Sequence, residues 1–132
     1  MILIDSNVLL DIVTEDPDWF EWSFSSLASA AEDSKLCINP LIYAEVSIRF
    51  ASPEEFDETF PEVSFKRAAL PYTAAFLAGR AHLAYRRRGG VRTSPLPDFY
   101  IGAHAAVSGF RILTRDANRY RTYFPTVTLI AP

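Results

Sequence analysis

The chain is poor in the side chains that crosslink a fold or hold a zinc ion. Its 132 residues include one cysteine, Cys37, and two histidines. One thiol cannot form an internal disulfide, and the sequence has no spacing typical of zinc ligands. Because the apolar Leu36 and Ile38 flank Cys37, we expect a buried structural thiol in a protein of the reducing cytoplasm.

Long hydrophobic runs are absent as well. The first four residues are apolar, but Asp5 follows at once, without the basic region and long apolar segment of a targeting signal. No stretch approaches the length of a membrane span, so we expect no membrane partner. Hydrophobic residues nevertheless make up 49% of the chain, which predicts a folded globule. The length predicts a single domain over residues 1–132.

Lysine is scarce, and the basic residues are distributed unevenly. Residues 1–65 carry two basic side chains against fourteen acidic ones, whereas residues 66–132 carry eleven basic side chains against two acidic ones. From Arg80 onward every basic residue is an arginine. This division suggests either an anionic partner such as nucleic acid or charge pairing between the two halves of the fold.

Short apolar segments alternate with helical patterns along the chain. We predict strands at residues 1–5, 36–38, 63–65, 111–113 and 127–130. We predict helices from about residue 8, at 17–31, at 39–50, from 52, and at 71–88, 98–108 and 116–120. Alternation of this kind predicts the α/β class, with a three-layer α/β/α sandwich around a mainly parallel sheet.

Four carboxylates occupy unusual places in this pattern. Asp5 closes the first, fully apolar strand, and Asp116 comes just past the fourth. Glu45 interrupts an apolar helical stretch, and Asp98 begins a helix after a loop rich in Gly, Ser and Pro. Charges in apolar surroundings are rarely buried unless they are paired or bind a metal. Since the carboxyl ends of parallel strands meet at one edge of the sheet, these four acids are candidates for one site.

Four converging carboxylates favour a hard divalent cation. At a separation of about 5 Å and an effective dielectric near 20, each pair of charges costs roughly 3 kcal/mol. Oxygen ligands select Mg²⁺, with Mn²⁺ as a substitute. A cation of this kind binds phosphate, neutralises developing charge and activates water, which is the chemistry of phosphodiester hydrolysis.

Other polar residues lie near these acids in the sequence. Asn7 and Thr114 are residue types that commonly serve as local caps and turns. Several arginines precede Asp98 or adjoin Asp116, and they either contact the phosphates of a nucleic acid or complement helix ends and acids. They are Arg86, Arg87, Arg88, Arg92 and Arg115. His104 does not share a helical face with Asp98, so we expect it to be structural.

Four segments of the chain carry the four acids. They are ILIDSNVLLD (residues 2–11), NPLIYAEV (39–46), LPDFYIGAHA (96–105) and ILTRD (112–116) followed by YFP (123–125). These segments resemble the PIN domain family, in particular its ribonuclease toxins of the VapC type. A single acidic motif is weakly specific, but four in the family's order span the whole chain. Residues 53–92 carry little of the resemblance.

The resemblance implies a function and a set of roles. Asp5 and Asp98 would be the principal Mg²⁺ ligands, and Glu45 and Asp116 would complete the acidic pocket directly or through water. Asn7 and Thr114 would support the pocket by hydrogen bonds. The reaction would be endonucleolytic cleavage of RNA. The family also implies a homodimer and a cognate antitoxin whose basic side chain enters the acidic pocket.

Two other classes of function stay open at this point. One is an RNA-binding module without catalysis, which would use the arginine-rich half and need no metal. The other is a phosphoacceptor domain of the receiver type, but Lys35 and Lys66 are the only lysines and neither lies near a late strand. A haloacid-type phosphatase would need an aspartate where Asn7 stands.

Overall fold

A computed structural model describes all 132 residues and has a five-stranded, wholly parallel sheet at its centre. The strands are β1 (Ile2–Ile4), β2 (Leu36–Ile38), β3 (Phe65–Arg67), β4 (Arg111–Leu113) and β5 (Leu129–Ile130). Their order in the sheet is β3-β2-β1-β4-β5. The chain therefore builds outward from β1 in one direction and then returns to add β4 and β5 on the other side. The predicted α/β class is confirmed.

Seven helices surround this sheet. They are α1 (Ser6–Val13), α2 (Phe20–Asp33), α3 (Pro40–Ser47), α4 (Pro53–Thr59), α5 (Tyr72–Arg87), α6 (Pro97–Ser108) and α7 (Asn118–Tyr123). Every side chain of β1 is wholly buried. Because successive strand residues point to opposite faces, both faces of the sheet are covered, as in the predicted sandwich. None of the seven helices has the length and apolar character needed to cross a membrane.

Side-chain caps explain where two of the helices begin. Asn39 accepts a hydrogen bond from the backbone N–H of Ile42 at 3.0 Å, and Pro40 occupies the first turn of α3. Ser52 accepts from the backbone N–H of Glu55 at 3.2 Å and so starts α4. Both starts agree with the sequence prediction, although α3 ends at Ser47 rather than at residue 50.

Local hydrogen bonds move three other helix starts from their predicted positions. The first helix begins at Ser6, not near residue 8, because Asp5 itself is the N-cap. The second begins at Phe20 rather than 17, since Asp16 Oδ1 accepts from the backbone N–H groups of Asp18 and Trp19 at 2.9 Å and holds a turn there. The last runs over Asn118–Tyr123 rather than 116–120.

Three strands also differ from their predicted limits. The first is Ile2–Ile4 rather than 1–5, because Asp5 is already the N-cap of α1. The third strand is Phe65–Arg67, not 63–65, and the residues just before it form a turn. Val63 in that turn is 94% exposed, so its apolar side chain did not mark a buried strand. The fifth strand is limited to Leu129–Ile130.

Buried residues between sheet and helices include the two that we expected to be structural. Cys37 is wholly buried in β2, and burial raises its thiol pKa to about 11. His104 is 1% exposed, and burial lowers its pKa. Asn39 Nδ2 lies 3.2 Å from His104 Nδ1, so a neutral ring accepts a hydrogen bond from the residue that caps α3.

One glycine in α6 marks a close approach between elements. A Cβ atom built on Gly102 would lie 2.3 Å from Cδ2 of Phe124, a residue that is itself 4% exposed. Apart from the adjacent residues and the backbone of its own helix, no atom lies within 4 Å of the corresponding position on Gly79, in the middle of α5. Close packing therefore requires a glycine at position 102, whereas no such contact requires one at position 79.

We expect Gly102→Ala to lower the free energy of unfolding by about 1–3 kcal/mol, because the Phe124 ring must move within a packed core. The matched control is Gly79→Ala, which should raise it by about 0.5–1 kcal/mol through helix propensity alone. Urea denaturation measures both. Equal effects of the two substitutions would contradict the close approach.

Candidate metal and active site

The register of the sheet brings Asp5 and Thr114 together. Ile4 of β1 pairs with Leu113 of β4, and the backbone N–H of Asp5 donates to the carbonyl oxygen of Leu113 at 2.9 Å. Each strand ends there, so Asp5 and Thr114 occupy adjacent positions at the carboxyl edge. The Thr114 hydroxyl donates to Asp5 Oδ2 at 2.9 Å. On one side of β1 the chain adds β2 and β3, and on the other side it adds β4 and β5. Asp5 and Thr114 therefore lie at the point where the strand order reverses, and open α/β folds form their binding sites at such points.

Asp5 is buried and hydrogen-bonded through both carboxylate oxygens. It is 3% exposed. Its Oδ1 accepts from the backbone N–H of Ser6 at 2.8 Å, and its Oδ2 accepts from the Tyr120 hydroxyl at 2.9 Å as well as from Thr114. Burial, with the charge of Asp98 adding to it, raises the Asp5 pKa to about 6, and the hydrogen bonds from these three residues act in the opposite direction.

Glu45 reaches the same place from α3. Its Oε1 accepts a hydrogen bond from the Ser6 hydroxyl at 3.0 Å, and the same hydroxyl lies 3.4 Å from Asp5 Oδ1. Ser6 thus links the two acids. Burial raises the Glu45 pKa, and the charge of Asp98 adds to the increase.

Asp98 interacts electrostatically with the other acids and with an arginine. It lies in the first turn of α6 with 40% of its side chain exposed. Burial raises its pKa, the charge of Arg119 lowers it, and the charge of Asp116 raises it. Arg119 Nη1 is 4.0 Å from Asp98 Oδ2. The charge of Asp98 also raises the pKa values of Asp5 and Glu45, so it acts on two of the other predicted acids.

Asp116 is the most exposed of the four acids. Its backbone N–H donates to the Thr114 hydroxyl oxygen at 3.1 Å, which fixes the turn after β4. It lines an open cleft of about 480 Å³ together with Asp98. The other residues that line this cleft are Tyr85, Asn118, Arg119, Thr122 and Tyr123.

The donor set fits a hard divalent cation held partly by water. No three Asp, Glu, His or Cys side chains lie close enough together to hold one ion between them. Magnesium does not need such a cage, since one or two carboxylates, several waters and a substrate phosphate complete its shell. All the nearby charged donors are carboxylates, the pKa values of Asp5, Glu45 and Asp98 are raised, and a cation would relieve the repulsion among them.

Asn7 and Thr114, the two predicted supporting residues, are in place. Asn7 Nδ2 lies 3.2 Å from Thr114 Oγ1 and 3.4 Å from Asp5 Oδ2, while its Oδ1 accepts from the backbone N–H of Arg115 at 3.3 Å. The amide of Asn7 therefore ties the start of α1 to the turn after β4. Both residues act beside Asp5 rather than only as local caps.

The five arginines proposed for RNA contact have different surroundings. Arg115 Nε donates to Asp11 Oδ2 at 2.8 Å, and its guanidinium lies 5.4 Å from the centroid of the Trp19 ring. It therefore neutralises an aspartate that is 2% exposed. Arg86 Nη1 donates to the carbonyl oxygens of Gly90 and Arg92 at 3.2 Å. Arg87, Arg88 and Arg92 are exposed.

Three residues of the site were not predicted from the sequence. They are Ser6, Arg119 and Tyr120, which contact Glu45, Asp98 and Asp5 respectively. Ser6 follows Asp5 directly, and that adjacency was available as a signal. Tyr120 is 1% exposed and its apolar ring resembles any core aromatic, so nothing in the sequence marks its hydroxyl.

The raised pKa of Asp5 predicts a pH dependence of stability in the metal-free protein. The folded state binds this proton more tightly than the unfolded state, whose value is 3.8. The resulting stabilisation is complete below about pH 3.8 and is lost as pH rises through about 6, a change of up to about 3 kcal/mol. Asp5→Asn should flatten this part of the curve, measured by urea denaturation in EDTA.

The control is Asp18→Asn, at an exposed position of the loop before α2, which should keep the wild-type slope. A stability curve for Asp5→Asn that still falls as steeply as the wild type between these pH values would contradict the buried, protonated Asp5.

Comparison with solved structures reveals the same fold in several complexes. VapBC2 from Rickettsia felis, bound to a DNA fragment from its promoter, matches with a TM-score of 0.74 and 15% identity over 100% of this chain and 99% of that one. VapBC-1 from nontypeable Haemophilus influenzae matches with a TM-score of 0.73 and 13% identity over 99% and 98% of the two chains. FitAcB from Neisseria gonorrhoeae gives 0.68 and 18% over 98% and 96%.

At these identities the likeness establishes the fold alone. No functionally curated protein matches the sequence significantly. The family model described as PIN domain matches residues 2–125, which include all four acids and nearly the whole chain. The segments that resembled this family in the sequence lie within that match. The chain belongs to the PIN domain family.

Proposed function

We propose that the protein is a Mg²⁺-dependent endoribonuclease and the toxin of a VapBC-type toxin–antitoxin pair, with Mn²⁺ as a possible substitute for the cation. The observation that carries the proposal is the buried Asp5, whose pKa is raised to about 6 by burial and by the charge of Asp98 at the same sheet edge. A PIN domain with coupled, desolvated carboxylates beside an open cleft fits hydrolysis of a phosphodiester.

Each residue of the site has a separate task in this proposal. Asp5 and Asp98 hold the cation, and Glu45 and Asp116 complete the acidic pocket directly or through water. When bound, the cation supplies positive charge for the phosphoryl oxygens and lowers the pKa of a bound water. Four donors orient the Asp5 carboxylate, and they are the Ser6 backbone and the side chains of Asn7, Thr114 and Tyr120.

The fixed hydrogen bonds matter because they limit the freedom of a principal ligand. Asp5 cannot rotate without breaking its bonds to Thr114 and Tyr120, both at 2.9 Å. A carboxylate that is already oriented loses little entropy when it binds a cation. Glu45 is held more loosely, by one hydrogen bond from Ser6.

The partners in this proposal are RNA, a cognate antitoxin and a second copy of the chain, in the cytoplasm. Several of the similar structures are described as toxin–antitoxin or VapBC complexes, including one from Klebsiella pneumoniae. Tyr72, Phe76 and Leu83 project from α5 with exposures of 95%, 66% and 39%. Exposed apolar side chains along one helix support contacts with another protein.

We expect Asp98→Asn to reduce RNA cleavage by about a hundredfold or more, because the cation loses a charged ligand. Asp5→Asn should have the same effect, while both variants stay folded. Gel analysis of a labelled RNA in Mg²⁺ measures the rate. Asp33→Asn is the matched control, since this half-exposed acid pairs with Arg111 at the opposite edge of the sheet. A pure, folded Asp98→Asn protein that cleaves at the wild-type rate would refute the proposal.

Metal binding has a second readout that does not depend on activity. Mg²⁺ should raise the thermal midpoint of the wild type and of Asp33→Asn, because a ligand that binds only the folded state stabilises it. The same addition should leave the midpoint of Asp98→Asn nearly unchanged. Equal shifts in all three proteins would place the cation elsewhere.

A second candidate is an RNA-binding module without catalysis. The exposed arginines of the second half favour it. It predicts RNA binding that weakens with salt but does not respond to EDTA or Mg²⁺. Cleavage that requires a divalent cation would exclude this alternative.

A further inference from the structure

The cleft beside Asp98 and Asp116 has a second wall made of aromatic and basic side chains. Tyr85 comes from α5, whereas Arg119 and Tyr123 come from α7. Asn118 and Thr122 add amide and hydroxyl groups between them. The volume of about 480 Å³ lies within the range of sites that hold small organic ligands. Two of the four acids of the proposed nuclease site, Asp98 and Asp116, therefore line the same cleft as this wall.

Tyr85 is held in place by the loop that follows α5. The backbone N–H of Gly90 donates to the carbonyl oxygen of Tyr85 at 3.0 Å, and a Cβ atom on Gly90 would lie 2.3 Å from Cε1 of the Tyr85 ring. The backbone N–H of Arg92 donates to the Tyr85 hydroxyl at 3.4 Å. This ring is consequently part of a preformed wall and does not swing freely.

Two arginines lie close to aromatic rings at or beside this wall. The Arg119 guanidinium lies 5.9 Å from the Tyr85 ring centroid and 5.8 Å from that of Phe99. The Arg88 guanidinium lies 5.4 Å from the Tyr123 ring centroid. Contacts of this kind orient an arginine while its donors stay available to an anion. Arg119 makes only a 4.0 Å ion pair with Asp98, so the other N–H donors of its guanidinium stay available to an anion.

We propose that this cleft holds one nucleotide of single-stranded RNA next to the phosphate that is cut, with Arg119 on a phosphate and the Tyr85–Tyr123 wall against an unpaired base. The proposal rests on the nuclease function above and adds the place and the form of the substrate. The negative charges of Asp98 and Asp116 repel an RNA phosphate in the cleft, and the positive charge of Arg119, which lines the same cleft, offsets this repulsion. A base in a duplex is stacked and cannot enter a cleft of this kind.

The arginines differ in their surroundings. Arg119 lies beside Asp98 at the cleft, whereas Arg115 is bound to Asp11 and Arg86 to the loop carbonyl oxygens. The Arg88 guanidinium lies against the Tyr123 ring, 5.4 Å from its centroid. Of these, Arg119 is the one placed to contact a phosphate near Asp98.

The test is RNA binding measured without cleavage. A fluorescein-labelled single strand of about 12 nucleotides is titrated with protein in EDTA, and anisotropy gives the Kd. Arg119→Met should raise the Kd about tenfold at low salt and reduce the slope of log Kd against log salt by about one. Arg119→Lys, which keeps the charge, should recover part of the loss.

Arg111→Met is the matched control. Arg111 has 38% of its side chain exposed, against 39% for Arg119, and it pairs with Asp33 at the opposite edge of the sheet. It should change the Kd by less than about twofold. Equal weakening by the two variants would mean diffuse charge attraction and would overturn the assignment. So would binding of the same strand, annealed into a duplex, at least as tightly as the single strand.

These outcomes are separate from the outcomes of the nuclease test. Wild-type protein that binds single strands through Arg119 but never cleaves them would remove the nuclease proposal and leave the cleft assignment standing. If the wild type cleaves RNA in a metal-dependent way but the Arg119→Met and Arg111→Met variants bind RNA equally well, the nuclease proposal stands and the cleft assignment is removed.

Discussion

The burial of Asp5 at the junction of β1 and β4 constrains the whole site. A carboxylate that is 3% exposed costs free energy unless its oxygens have partners, and here donors from α1, from the turn after β4 and from α7 surround it. The donors from the turn after β4 and from α7 lie more than 100 residues from Asp5 in sequence. Glu45 is linked to Asp5 through the Ser6 hydroxyl, and Asp98 acts on Asp5 through its charge.

The sequence predicted the fold class and grouped the acids because both depend on local pattern. An apolar strand that ends in an acid, as at Asp5, is visible without coordinates, and parallel strands place such ends at one edge. The family resemblance rested on the same segments, and the family match confirmed it. The limits of the helices were predicted less accurately. The side chains of Asp16 and Thr114 accept backbone hydrogen bonds that form turns just before α2 and α7, and these two helices begin later than predicted.

The rest of the site depends on contacts that no local pattern records. The hydroxyl of Tyr120 meets a carboxylate 115 residues away, and Ser6 meets Glu45 across 39 residues. Arg119 was one arginine among many in a basic half, and only the packing of α7 against α6 distinguishes it. Conversely, Arg115 was a candidate for RNA contact by adjacency to Asp116, yet its side chain bonds to the buried Asp11.

Helix α7 is six residues long and carries two neighbours that face different parts of the molecule. Arg119 borders the open cleft, and Tyr120 reaches inward to Asp5. Because both side chains leave the same turn of backbone, a displacement of that turn moves both. A molecule that shifts α7 from the cleft side would therefore also change the hydrogen bond from Tyr120 to Asp5, which links what the cleft contains to the orientation of the buried carboxylate.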